Sequence, residues 1–188
     1  MSARHPLLLD RDGAALVVVD MQEPFLRSIF ERDRVVAQCR LLIKAATLLD
    51  VPIIATVQYA QRMGGLIKEI GELFGSDAAA AYDKMVFSCC GSDEFKSAIA
   101  ASGRWQILMC GVETHNCVTQ TALDLINHGN QVHVALDAVS SRTASRHEIG
   151  IQKMRDAGVV PCSAEQAIFE MLYAATAPEF KAIHALIK

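Results

Sequence analysis

The longest uninterrupted apolar runs in this chain are about six to eight residues, far short of the roughly 20 that a membrane-spanning helix needs. At the amino end, "MSARHPLLLDRDG" offers only a brief apolar stretch broken by charge, so no secretory leader is expected. Like charges are nowhere massed. The 18 Lys and Arg residues are scattered among 21 Asp and Glu, giving a net charge of −3, so neither nucleic acid nor an anionic membrane surface is the expected partner. The six cysteines, Cys39, Cys89, Cys90, Cys110, Cys117 and Cys162, show no CxxC and no metal-type spacing. They read as reduced thiols of a cytoplasmic protein, with no metal expected. GxGxxG after a strand, the P-loop, the GxSxG elbow and HExxH are all absent, so no motif points to a cofactor, nucleotide or zinc.

What is present suits one sizeable core. With 52% hydrophobic residues in 188, the chain is read as a single domain, residues 1–188. Short apolar runs recur: "AALVVVD", "VPIIATVQY", "KMVFSCC", "RWQILMCG", "NQVHVALDAVS" and "AGVVPCS". Continuous rather than alternating apolar runs mark strands buried on both faces of a parallel sheet. Helical patterns lie between them, over about Val35 to Leu49, through Val118, Ala122, Leu125 and Ile126, and through Ile149 and Met154. Gly129 and Gly158 follow the last two patterns as stops. Ser163 with Gln166, and Thr176 with Glu179, have the spacing of capping boxes ahead of two further helices. The fold class predicted is α/β: a three-layer αβα sandwich around a doubly wound, mainly parallel, Rossmann-like sheet.

Sites in such sheets lie beyond the carboxyl ends of the strands, where the strand order reverses. Asp20 closes the first run, Gln58-Tyr59 the second, and "GVETHN" follows the fourth. Cys117 has two readings. It is either a packed structural thiol, or a nucleophile in the first turn of a helix capped by Thr114. In that turn, unpaired N–H groups and the helix dipole would lower the thiol pKa and could hold an oxyanion. His115, roughly 200° away around a helix, is a poor base for Cys117 but a candidate for the pocket wall. Asp20 is either a turn acid or a base for the thiol. Lys84 either sits exposed at a strand start or is drawn inward to balance the carboxylate and a thiolate.

Together these segments resemble the isochorismatase-like cysteine hydrolases, especially the small isochorismatase-domain proteins. "LVVVDMQEPF", "KMVFSCC", "VQYAQRMGG" and "CGVETHNCVTQTALDLINHGNQVHVALDAVSSR" carry the resemblance, which spans nearly the whole chain. It implies a catalytic triad of Asp20, Lys84 and Cys117. It also implies a cis Val112–Glu113 peptide and an oxyanion hole made by the Glu113 and Cys117 backbone N–H groups. Gln22, Phe25, Tyr59 and His115 would line the pocket, with Met63 and Leu66 in the loop beyond. Nicotinamidases of the family carry an Asp-x-His metal pattern after the second strand, where this chain reads "ATVQYAQ". The implied activity is cleavage of a small amide-like C–N bond through a thioester, without cofactor. Two rivals remain: a vinyl-ether hydrolase using Asp20 with Cys117 as bystander, and a non-catalytic interaction protein. The family often assembles, so a homo-oligomer is expected, with the apolar C-terminal helices as candidate faces.

Overall fold

The computed structural model describes residues 4–77 and 81–188. Six strands form one sheet: β1 (Ala14–Val19), β2 (Ile53–Gln58), β3 (Ala81–Lys84), β4 (Gln106–Val112), β5 (Gln131–Ser140) and β6 (Val160–Cys162). All pair in parallel, in the order β3-β2-β1-β4-β5-β6. The chain winds outward from β1 in one direction and from β4 in the other, so the switch point lies between these two central strands.

β1 shows why its sequence reads as an unbroken apolar run. Ala14, Leu16 and Val18 enter one core, while Ala15, Val17 and Val19 enter the other. The first core packs against α1 (Arg32–Leu48), α5 (Ala164–Leu172) and α6 (Phe180–Ile187) through Val35, Leu42, Ile168, Met171 and Ile183. The second packs against α2 (Asp93–Ser102), α3 (Thr119–Asn127) and α4 (Ala144–Asp156) through Phe95, Ala122, Leu125 and Met154. A parallel sheet covered on both faces requires this double burial.

Several local expectations are corrected. β3 ends at Lys84 instead of starting there, because Met85 and Phe87 stand 65% and 56% exposed in the loop that follows. The apolar character of "MVF" therefore belongs to a surface loop. Ser163 does cap α5, accepting from the Gln166 N–H at 3.1 Å, but Thr176 makes no cap for α6, which begins after Glu179. Between Arg62 and Ala81 the described residues hold two short helical segments, Lys68–Gly71 and Glu72–Asp77, before β3 begins at Ala81; residues 78–80 lie outside the described residues. No helix among the described residues is long and apolar enough to cross a membrane.

Candidate active site

β1 and β2 each run into a residue with left-handed backbone, Asp20 (φ 48°) and Tyr59 (φ 47°), which turns the chain sharply at the sheet edge. For Asp20 that conformation carries little penalty, since short polar side chains tolerate it. The register of β2 with β3 sets Gln58 beside Lys84. Lys84 therefore reaches the carboxyl edge of the sheet, the placement that its position before an apolar run had obscured.

There its ammonium is buried. Lys84 Nζ donates to Asp20 Oδ2 at 2.7 Å, to Gln58 Oε1 at 2.7 Å and to the Val86 carbonyl at 3.3 Å. Asp20 Oδ1 accepts from Thr56 Oγ1 at 2.9 Å, so each carboxylate oxygen has its own donor. Burial acts to lower the Lys84 pKa, but the Asp20 carboxylate and, once they ionise, the Cys117 and Cys89 thiolates outweigh it, and the pKa is raised. The ammonium thus keeps its charge at neutral pH.

Cys117 arrives from the other side of the switch point. After β4 the backbone enters a wide helical turn, Thr114–Val118, that leads into α3. Thr114 does not cap this turn; its hydroxyl lies 2.9 Å from His147 Nδ1, and Glu113 takes the cap position without a side-chain bond. Cys117 still falls in the first turn, 7% exposed, in a pocket it shares with Asp20. The expected lowering of its pKa is overturned. Burial first, and the Asp20 carboxylate second, push the thiol up to about 12, against the pull of Lys84. Desolvation of the charged sulfur and the Asp20 charge outweigh the Lys84 cation, so the resting group is a thiol.

The pocket is small, about 40 Å³. Phe25, Phe87 and Val112 supply its apolar wall, Gln58 and Asn116 its amides, and Asp20, Glu113 and Cys117 its acids and thiol. The Glu113 backbone N–H, between β4 and this turn, makes no backbone hydrogen bond among the described residues. The Val112–Glu113 peptide is cis. The Glu113 carboxylate accepts from Arg142 N at 3.0 Å and Arg142 Nε at 3.1 Å.

Of the four side chains expected to line the pocket, only Phe25 does. Gln22 is fully buried behind it and clamps the backbone of Gln58, donating to its carbonyl at 3.1 Å and accepting from its N–H at 2.6 Å. His115 is held by Ser141 Oγ, 2.9 Å from its Nδ1. Tyr59 serves at the strand end, its N–H donating to the Lys84 carbonyl at 3.0 Å. Phe87, Asn116 and Thr56 were not singled out from sequence. Thr56 did carry a signal, as the lone hydroxyl within the apolar run "IIATV". Among the described residues, no group of three His, Cys, Asp or Glu is arranged to hold a metal.

The pattern of the "Isochorismatase domain" family matches residues 14–166. The "Secreted isochorismatase effector Isc1" of Phytophthora sojae is 38% identical over 178 residues, covering 94% of this chain and 85% of that one. "Isochorismatase domain-containing protein 2" of Bos taurus is 35% identical over 190 residues, covering 100% and 90% respectively. The solved structure of a "MAR1 Ribonuclease" from Caenorhabditis elegans superposes with a TM-score of 0.87 at 30% identity, covering 96% of this chain and 92% of that one.

Proposed function

This chain belongs to the isochorismatase domain family, and we propose that within it the protein is a cysteine hydrolase that cleaves a small amide-like substrate through a thioester on Cys117. The observation that carries this reading is the buried Lys84–Asp20 pair, 2.7 Å long, opening onto the pocket that holds Cys117. Burying an ion pair is costly, and a protein gains more from an apolar pair of similar volume unless the charges are used. Here they border a thiol, in a cleft where perturbed groups gather for chemistry.

In the proposed reaction Asp20 takes the Cys117 proton as the sulfur attacks the substrate carbonyl. A resting thiol with a raised pKa favours transfer concerted with attack, because a free thiolate would be poorly solvated in this pocket. Lys84 holds Asp20 in place and offsets the negative charge. The Glu113 and Cys117 N–H groups would receive the oxyanion. Asp20 then returns the proton to the leaving amine, and later activates the water that frees the acyl group. The pocket volume and its Phe25, Phe87 and Val112 wall suit a short acyl group. The six buried, unpaired thiols support a reducing, cytoplasmic setting. Self-association is part of the proposal, although α6 spends its apolar face on the core, with Ile183 buried and Phe180 and Ile187 packed beside it. The exposed Met85–Phe87 loop is the better candidate for a subunit contact.

The test is an ammonia-release screen across small amides with the native protein and the Cys117→Ala and Cys117→Ser variants. The account predicts at least one amide whose turnover falls by about 10³-fold or more in Cys117→Ala. Near-normal turnover in that variant would move the chemistry to Asp20 alone and support the vinyl-ether type of hydrolysis.

A further inference from the structure

We propose that Thr56 and Cys89 form a positioning pair that lets Asp20 receive a proton on Oδ1, with the Thr56 hydroxyl donating to the carboxylate and turning to accept from the acid. The proposal rests on the reading of Asp20 as acceptor of the Cys117 proton.

An ionised carboxylate can only accept, so Thr56, 2.9 Å from Asp20 Oδ1, must spend its single hydrogen there. Its remaining lone pairs face Cys89 Sγ at 3.6 Å, a contact in which either atom can be the donor. With the Thr56 hydrogen committed, the donor is the Cys89 S–H. Burial pushes the Cys89 thiol pKa up, so that hydrogen is present at neutral pH.

The two carboxylate oxygens differ in what they can do next. At Oδ2 stands the Lys84 ammonium, which has donors and no acceptor, so a proton added there would point at a cation. At Oδ1 the neighbour is a hydroxyl, which can rotate. When the Cys117 S–H bond breaks, the electron pair stays on sulfur and an O–H bond forms on Oδ1. Thr56 Oγ1 then accepts from that O–H and rotates its own O–H, still bonded, toward Cys89 Sγ, a weak acceptor whose S–H turns aside. The chain Cys89–Thr56–Asp20 therefore has two hydrogen-bonding directions, one for each protonation state.

Thr56 and Cys89 are both fully buried, and neither lines the pocket, so both act through Asp20. The charged or titratable groups around Asp20 are Lys84 from β3, Cys89 from the turn after it, Cys117 from the turn after β4, and Glu113 on the shared pocket wall.

The experiment follows the Asp20 carboxyl carbon by NMR during a pH titration of the full chain labelled with ¹³C-aspartate, with the signal assigned from Asp20→Asn. Thr56→Val keeps the shape and removes the hydroxyl. The bond lost to the ionised form is the stronger one, so the titration should move up by about one pH unit. Thr56→Ser should restore it, and Cys89→Ala should move it in the same direction by less. An unmoved titration in Thr56→Val, or an equal displacement in Thr56→Ser, would overturn the role of the hydroxyl. No displacement in Cys89→Ala would remove Cys89 from it. An amide screen without Cys117-dependent turnover, alongside an intact displacement, would instead reject the hydrolase reading while leaving the Thr56 assignment in place.

Discussion

Lys84 and Asp20 form a buried ion pair, 2.7 Å long, in which each charge compensates the other. Replacing Lys84 with Met leaves the carboxylate without its cation, and breaking a buried pair in this way costs about 3–5 kcal/mol. Adding Asp20→Asn neutralises the stranded charge. The double variant should therefore be more stable than the sum of the single variants by roughly 1–3 kcal/mol, measured by urea denaturation. Strict additivity would mean that the two groups do not depend on each other. At this scale the sequence was only partly legible. Asp20 and Cys117 could be read from their places at the ends of strand-like runs. Thr56, Phe87 and Asn116 could not, since what gives them their roles is a cross-strand register and a loop path that no local pattern encodes.

Elements position these residues through close backbone contacts. Gly150 of α4 faces the Thr114–Val118 turn so tightly that a Cβ there would stand 2.7 Å from the His115 Cα. Gly150→Ala must push α4 away or shift the turn that carries Cys117. We expect a loss of about 1–3 kcal/mol in denaturation, as for other overpacked sites, together with a fall in turnover larger than the stability loss alone would produce. Full stability and full activity in this variant would show that the turn is not held from behind. Gly111 is more restricted still, with φ +109° and a position where a Cβ would meet the Val19 carbonyl at 2.1 Å, between the two central strands. The strands themselves were legible because burial on both faces writes a continuous apolar run. β3 was misread because "MVF" has the same composition as a buried strand, and only tertiary packing reveals that these residues are on the surface.

Across the whole molecule, Cys89, Cys90, Cys110, Cys117 and Cys162 have raised thiol pKa values. Burial pushes Cys117 and Cys162 up to about 12 from an ordinary value of 9.0. A group whose pKa is raised by folding adds stability that is complete below its unfolded value and is lost as pH climbs toward its folded value. Stability should therefore hold up to about pH 9 and then decline toward pH 12, by about 1.4 kcal/mol per pH unit for each fully protected thiol. Lys84 acts in the same direction, with its loss beginning only above 10.5. Urea denaturation at pH 8, 9.5 and 10.5 checks this, and Cys117→Ala with Cys162→Ala should flatten the slope. A native slope that stays level would contradict it.

The two halves of the sheet bring Asp20, Lys84 and Cys117 to one pocket edge, where we propose that a covalent acyl-enzyme forms. The most direct measurement is intact-protein mass spectrometry of an acid-quenched reaction with an amide that releases ammonia, followed by peptide mapping. The account predicts an added acyl mass on Cys117 in the native protein, absent from Cys117→Ala together with turnover. Undiminished ammonia release from Cys117→Ala would contradict it.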